Sequence, residues 1–182
     1  MVDIYLVRHG EAAAAWGEEP DPGLSHAGRQ QALQVRDELE PYRSSLHLIS
    51  SPLLRAQETA QPLATTLRQK LEIDEAFREI PSPVGIDDRQ AWLQGFMRQD
   101  WSEQGPEVSE WRERAWSRLF ELEQHTAIFT HFMIINAICS RLMESAATVC
   151  CVPDNGSVTR LKLDEHSLQL VGVGRQLQTI VN

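Results

Sequence analysis

Arginine and histidine side chains stand at the ends of three apolar segments of the chain. Arg8 and His9 directly follow the run VDIYLV. Arg55 lies shortly after LHLIS, and His131 directly follows TAIFT. Arginine offers paired donors that match the oxygens of a phosphoryl group, and a neutral imidazole nitrogen can attack phosphorus. If the three segments end at one place, these side chains predict a cationic site for phosphoryl transfer.

The three apolar segments have the lengths and residue types of buried strands, and each is followed by residues at helical spacing. The predicted strands cover residues 2–7, 46–50 and 126–130. The first predicted helix runs from an N-cap at Ser25 to about Glu40. The second has its N-cap at Ser51 and Pro52 in its first turn, and Pro62 predicts a break in it near Gln61. Two further helices are predicted from Pro106 to His125 and over residues 132–144. Residues 71–80 predict a strand or an extended connection, and the alternating segments 157–163 and 168–174 predict a hairpin.

This alternation of strands and helices predicts an α/β fold. The expected architecture is a three-layer α/β/α sandwich with a mainly parallel central sheet and an antiparallel edge. In such sheets ligands bind outside the carboxyl ends of the strands, where the arginines and histidines are expected to meet. The length favours a single domain over residues 1–182. Residues 81–106, with three prolines and three glycines, predict an insertion near the mouth of the pocket, with one short helix over residues 88–99.

Charge and hydropathy exclude several classes of partner. A formal charge of −9 argues against nucleic acid, because phosphate backbones are bound by a surplus of Lys and Arg. No apolar run reaches the roughly 18 residues of a membrane span, and the first residues do not read as a leader, so we expect no membrane association and a cytoplasmic location. The three cysteines lack metal-ligand spacing, and we expect no metal or other cofactor.

Two motifs and their order resemble the histidine phosphatase superfamily, the phosphoglycerate mutase-like proteins. The motifs are LVRHGEA and SSPLLRAQETA, and a Thr-His pair that opens a late helix follows them. The resemblance covers nearly the whole chain and implies a phosphoglycerate mutase-like fold. It implies that His9 is the nucleophile that takes the phosphoryl group and that Arg8 and Arg55 hold the phosphoryl oxygens. It also implies that His131 donates a hydrogen bond to the phosphoryl group in the transition state.

The resemblance further implies an acid that protonates the leaving oxygen. Glu79, in FREI, resembles the family's glutamate at that step. Many relatives follow this glutamate with an aromatic segment that contains glycine, whereas IPSPVG follows here. The alternative is that Glu79 is a solvated loop carboxylate.

Positions that contact substrate in many relatives are different in this chain. Ala12 and Ala15 replace a hydroxyl residue and an asparagine, and Phe132 stands where glycine commonly follows the second histidine. Trp16 and Trp92 lie in the two segments expected to flank the pocket mouth. They predict an apolar wall that binds a hydrophobic or aromatic part of the substrate, and the alternative is that they pack the insertion onto the domain.

These residues predict a metal-independent phosphatase of the histidine acid phosphatase type, which hydrolyses a phosphomonoester through a phosphohistidine on His9. Ala12 and Ala15 argue against a mutase, because a mutase must hold and reorient its substrate. Phosphoglycerate mutase-type transfer and dephosphorylation of protein phosphohistidine remain alternatives, and a catalytically idle protein that binds a phosphorylated ligand is the rival from another class. The expected partner is therefore a phosphorylated small molecule or a phosphoprotein, and the oligomeric state is left open.

Overall fold

A six-stranded sheet organises the residues that the computed structural model describes, which are 1–14, 19–165 and 167–177. The strands are β1 (Val2–Arg8), β2 (His47–Ser50), β3 (Glu72–Ile73), β4 (Thr126–Thr130), β5 (Val158–Leu163) and β6 (Leu168–Gly172). Their order across the sheet is β3-β2-β4-β1-β5-β6. β4 pairs in parallel with β1 and β2, and β2 pairs in parallel with β3, whereas β5 runs antiparallel to β1 and β6. The predicted α/β class, with its mainly parallel sheet and antiparallel edge, is confirmed.

Helices cover both faces of this sheet. They are α1 (His26–Leu39), α2 (Leu54–Leu67), α3 (Arg89–Phe96), α4 (Pro106–Phe120) and α5 (Phe132–Leu142). Ser25 caps α1 as predicted, because its hydroxyl oxygen accepts a hydrogen bond from the Gly28 N–H at 3.0 Å. Among the described residues, no helix has the length and hydropathy needed to cross a membrane.

The start of α2 differs from its prediction. The helix begins at Leu54 because Leu53 keeps an extended backbone, so Ser51 and Pro52 are not its N-cap and first turn. The Ser51 hydroxyl instead accepts a hydrogen bond from the Leu53 N–H at 3.2 Å. The Ser51 hydroxyl does not cap the helix and can therefore contact side chains at the edge of the sheet.

The interior of α2 also differs from its prediction, because the helix runs through Pro62 without the break expected near Gln61. Proline removes one backbone donor and strains the preceding turn. Ala60 and Leu63, on either side, are fully buried against the sheet, and this packing outweighs the local cost. Two other segments are shorter than expected: the strand in 71–80 is limited to β3, and α4 ends at Phe120.

The two faces of the sheet bury separate apolar clusters, because successive side chains of a strand point to opposite faces. Ile4 and Leu6 of β1 pack in one cluster with residues of α4 and α5. Tyr5 and Val7 pack in the other with residues of α1 and α2. The result is the predicted three-layer α/β/α arrangement.

The central strands end at the same level. Arg8 of β1 lies opposite Thr130 of β4, and the His9 N–H donates to the Thr130 carbonyl at 3.0 Å. Gly10 then lets the chain turn close to α1, since a Cβ at this position would lie only 2.6 Å from the Gly28 carbonyl oxygen. His9 and His131 consequently leave neighbouring strands side by side.

Candidate active site

His9 lies at the centre of the site, and its ring is held in one tautomer. Its Nδ1 is 2.7 Å from the Gly10 carbonyl oxygen. A carbonyl oxygen only accepts hydrogen bonds, so Nδ1 carries the proton and Nε2 carries the lone pair. Burial lowers the pKa of His9 well below its ordinary value, and the charges of Arg55 and Arg8 lower it further. The structure therefore supplies a neutral imidazole with an available Nε2.

Arg55 approaches this nitrogen from the first turn of α2. Its Nε donates to His9 Nε2 at 3.1 Å. Helical side chains lean toward the N-terminus of their helix, which directs Arg55 toward the strand ends. Asp21 holds the start of α2, because its Oδ1 accepts from the Leu54 N–H at 3.0 Å and lies 3.9 Å from Arg55 Nη1. Thr59 links α2 to β1, since its hydroxyl accepts from the Gly10 N–H at 2.9 Å.

Arg8 is held from two directions. Its Nη1 donates to the Pro153 carbonyl at 2.8 Å, and its guanidinium carbon lies 5.2 Å from the centre of the Phe132 ring. Within the described part of the chain, the buried Arg8 Nε has no hydrogen-bond partner. A bound anion would give this nitrogen an acceptor.

Phe132 is expected to position Arg8, since a cation over an aromatic face is stabilised by the ring. We expect Phe132→Leu to weaken inhibition by inorganic phosphate about 2- to 30-fold, the range that corresponds to the strength of such contacts. Phe132→Tyr keeps the ring and should bind phosphate as the unmodified chain does. Equal phosphate affinity in the leucine variant and the unmodified chain would exclude this role.

His131 lies beside His9 at the end of β4. The centres of the two rings are 5.2 Å apart, and the side chain of His131 is fully buried. Its Nε2 is 2.6 Å from the Ser51 hydroxyl, while its Nδ1 is buried and has no partner among the described residues. Burial lowers the pKa of His131 well below its ordinary value, and the charge of Arg55 lowers it further. His131 is thus a neutral imidazole with one ring nitrogen that has no hydrogen-bond partner among the described residues.

Glu79 is buried in the same cluster, with 3% of its surface exposed, so it is not the solvated loop carboxylate considered above. Its Oε1 accepts from the Ile80 N–H at 3.0 Å, and its Oε2 accepts from the Met133 N–H at 3.4 Å. Burial raises the pKa of Glu79, against the opposing effects of these hydrogen bonds and of Arg55 and Arg8. A carboxyl group with a raised pKa can hold a proton and deliver it.

Two hydrogen bonds place the segment that carries Glu79. The Trp111 indole N–H of α4 donates to the Arg78 carbonyl at 2.9 Å. The Thr130 hydroxyl of β4 donates to the Phe77 carbonyl at 2.8 Å. Both bonds hold the backbone just before Glu79, so the position of this carboxyl group depends on α4 and β4 together.

A cavity of about 640 Å³ opens next to Glu79. Its wall combines the start of α4 with the segment around residues 80–89. Trp92 does not contribute to this wall; it packs against Phe96, with ring centres 5.5 Å apart, and against the main apolar cluster. Trp16 lies outside the described residues. Trp92 therefore does not line the cavity beside Glu79.

Sequence reasoning missed several residues that order the site. Ser51 contacts His131, Thr59 ties α2 to Gly10, and Pro153 anchors Arg8. Ser51 and Thr59 both lie inside the SSPLLRAQETA motif, so their spacing relative to Arg55 was the available signal. Pro153 offers only its backbone carbonyl, and no sequence pattern points to it.

The five residues predicted for catalysis are thus brought to one edge of the sheet, within a fold that matches the resemblance. The family described as histidine phosphatase superfamily (branch 1) matches residues 4–176. The chain belongs to the histidine phosphatase superfamily. A curated member, the probable phosphoglycerate mutase GpmB of Salmonella paratyphi C (strain RKS4594), is 36% identical over 90 residues. That match covers 46% of this chain and only 40% of the relative's length.

Solved phosphatase structures share this fold over nearly the full length of both chains. A phosphoserine phosphatase from Entamoeba histolytica, in complex with 3-phosphoglyceric acid, superposes with a TM-score of 0.76 at 21% identity and covers 97% of this chain and 98% of its own. A putative α-ribazole-5'-P phosphatase from Escherichia coli K-12 gives 0.75 at 19% identity, with 96% and 98% covered. At these identities the likeness shows the fold alone.

Proposed function

We propose that this histidine phosphatase superfamily member hydrolyses a phosphomonoester, without a metal ion, through a phosphohistidine intermediate on His9. The observation that carries the proposal is the tautomer of His9. The Gly10 carbonyl keeps the proton on Nδ1, and the Nε2 lone pair faces the Arg55 guanidinium. A phosphoryl group that displaces this contact meets a nucleophile and an oxygen donor together.

In the first step, the His9 Nε2 lone pair forms a bond to phosphorus while the ester P–O bond breaks. The electron pair of the broken bond goes to the leaving oxygen, which takes the proton of Glu79. Arg8, Arg55 and His131 donate hydrogen bonds to the remaining phosphoryl oxygens. The unpartnered Arg8 Nε and His131 Nδ1 support this role, because the transition state gives them acceptors.

In the second step, water attacks the phosphorus of the phosphohistidine. The Glu79 carboxylate takes a proton from this water, the N–P bond breaks, and its electron pair returns to Nε2. Inorganic phosphate leaves and Glu79 is again protonated, so the cycle closes. The names of two fold neighbours, a phosphoserine phosphatase and a mycobacterial glucosyl-3-phosphoglycerate phosphatase, support hydrolysis over other reactions.

The test is turnover of p-nitrophenyl phosphate in the presence of EDTA, combined with trapping of the intermediate. Samples quenched in alkali should show one added phosphoryl group by intact mass, and acid should remove that group, as expected of phosphohistidine. Absence of turnover would leave the chain as a protein that binds a phosphorylated ligand without catalysis.

The pH profile should reflect two groups whose pKa values are shifted toward each other. Because the pKa of His9 is lowered from its ordinary value of 6.5, the imidazole remains the neutral nucleophile as the pH falls below 6.5. Because the pKa of Glu79 is raised from its ordinary value of 4.5, the carboxyl group keeps its proton as the pH rises above 4.5. For an alkyl phosphate, kcat/KM should fall on the acid side as His9 gains a proton and on the alkaline side as Glu79 loses one.

p-Nitrophenyl phosphate provides the internal control for this profile. Its leaving group is stable as an anion and needs no proton, so the alkaline limb should move to higher pH while the acid limb stays. Identical alkaline limbs for the aryl and alkyl esters would contradict the assignment of that limb to Glu79.

Phosphoglycerate mutase activity is the second candidate, because the curated relatives matched over part of the chain carry that name. Incubation with 3-phosphoglycerate separates the two reactions. Hydrolysis releases inorganic phosphate and glycerate, whereas a mutase produces 2-phosphoglycerate without net release of phosphate.

A further inference from the structure

The hydroxyl of Ser51, the residue that directly follows β2, lies next to the ring of His131. Both side chains are fully buried. The hydroxyl oxygen is 2.6 Å from His131 Nε2 and accepts a hydrogen bond from the Leu53 N–H at 3.2 Å. Because this hydroxyl is shielded from solvent, protein groups decide which hydrogen bonds it makes.

The proton of the Ser51 hydroxyl has one acceptor. A serine hydroxyl donates one proton and accepts through its lone pairs. The Leu53 N–H uses one of these lone pairs, because a backbone N–H can only donate. Within the described part of the chain, His131 Nε2 is the only other hydrogen-bond partner of this hydroxyl. A hydrogen bond from Ser51 to Nε2 requires that this nitrogen carries a lone pair, so the ring proton lies on Nδ1.

The opposite tautomer of His131 leaves more groups without a partner. If Nε2 carried the proton, it would donate to the Ser51 hydroxyl, and the buried hydroxyl proton would then have no acceptor. The Nδ1 lone pair would be a second unsatisfied group, since Nδ1 is buried and has no hydrogen-bond partner among the described residues. Each buried polar group without a partner is costly. The tautomer with a single unsatisfied group, the Nδ1–H, is therefore favoured.

A ring with protons on both nitrogens is excluded by its charge. Burial lowers the pKa of His131 well below its ordinary value, and the neighbouring Arg55 guanidinium lowers it further. The ring is therefore neutral and holds one proton.

We infer that Ser51 is a positioning residue that fixes the tautomer of His131. Its hydroxyl donates to Nε2 and keeps the ring proton on Nδ1, which is then the nitrogen that can donate to an anionic oxygen. Within the proposed phosphatase, on which this part of the inference rests, the Nδ1–H stabilises a phosphoryl oxygen in the transition state. The ring of His131 lies 5.2 Å from that of the proposed nucleophile, His9. Ser51 thus acts on the reaction through His131.

Nuclear magnetic resonance measures this tautomer directly. In a protein with isotope-labelled histidines, correlations between ring protons and ring nitrogens show which nitrogen is protonated, and the signals that disappear in His131→Asn belong to His131. We expect a protonated Nδ1 in the unmodified chain and in Ser51→Thr, which keeps the hydroxyl. In Ser51→Ala the proton should move to Nε2 in part or in full. A protonated Nε2 in the unmodified chain, or an unchanged tautomer in Ser51→Ala, would overturn the inference.

Kinetics test whether this tautomer serves the reaction. Ser51→Ala should lower kcat/KM for p-nitrophenyl phosphate about 2- to 13-fold, the range that one hydrogen bond provides, and Ser51→Thr should keep the value of the unmodified chain. Ser157→Ala removes another buried hydroxyl, one without a hydrogen-bond partner among the described residues, and should keep full activity.

A double-mutant cycle shows whether Ser51 acts through His131. His131→Asn keeps an N–H donor near the position of Nδ1 and has no atom at that of Nε2. In a chain with this change, Ser51→Ala should have no further effect on kcat/KM, because the hydroxyl has no ring to orient. An equal loss in both backgrounds would overturn the inference and assign the effect to the contact of Ser51 with Leu53, just before α2.

Turnover of p-nitrophenyl phosphate by the unmodified chain separates failure of this inference from failure of the proposed function. If that ester is hydrolysed and His131 is protonated on Nε2, the inference is overturned and the phosphatase stands. If the ester is not hydrolysed, the proposed function fails, while the resonance measurement still decides the tautomer. In that case the inference stands only if inorganic phosphate shifts the signal of the His131 Nδ1–H proton.

Discussion

His9→Ala should abolish turnover of every phosphomonoester, with a loss of kcat of at least about a thousandfold, because no other group can form the covalent intermediate. The variant removes the Nε2 lone pair that faces Arg55 and leaves Arg8 and His131 in place. The measurements are p-nitrophenol release and the intact mass of the alkali-quenched protein, which should show no phosphoryl adduct.

Two controls accompany this variant. His26→Ala replaces an exposed histidine at the start of α1 and should keep full activity and the adduct. Inorganic phosphate should still raise the thermal stability of His9→Ala, because the arginines that hold its oxygens remain. Turnover or an adduct in His9→Ala equal to that of the unmodified chain would assign the nucleophile to another residue.

Glu79→Gln should slow the first turnover of an alkyl phosphate by about 10²- to 10⁴-fold, the usual contribution of a positioned acid. The glutamine keeps the shape of the side chain, and its one oxygen can still accept from the Ile80 N–H, the shorter of the two contacts, but it cannot deliver a proton. The first turnover of p-nitrophenyl phosphate, whose leaving group needs no proton, should slow by less than about tenfold.

Rapid mixing separates the two steps of this reaction. With p-nitrophenyl phosphate, Glu79→Gln should give a burst of one equivalent of p-nitrophenol followed by a slow phase, since the same carboxylate is needed to take a proton from water. Glu123→Gln, a matched change at an exposed position, should behave as the unmodified chain. Equal slowing of the first turnover for both esters would make Glu79 a structural carboxyl group and not an acid.

The fold and the central residues could be predicted from local patterns. β1, β2 and β4 are short apolar runs, and each ends near an arginine or histidine. Since parallel strands share one carboxyl edge, the ends of three such strands meet wherever the sheet forms. The alternation of strand and helix and the spacing of the two motifs therefore sufficed for the architecture and for the place of Arg8, His9, Arg55 and His131.

Local patterns failed where a distant contact overrides local preference. Pro62 predicts a break in α2, but buried neighbours on both sides keep the helix continuous. Ser51 predicts a helix cap, but its hydroxyl serves Leu53 and His131 instead. Trp92 predicts a pocket wall, but its ring packs against Phe96 in the apolar cluster.

The sequence by itself determined which side chains reach the edge of the sheet and the sign of their charge. Only the tertiary structure decided their chemical state. The proton on His9 Nδ1 depends on the orientation of the Gly10 carbonyl, and the raised pKa of Glu79 depends on its burial beneath α4 and β4. Protonation depends on the solvent and the dipoles around a group, and the chain supplies those surroundings from residues far apart in its sequence.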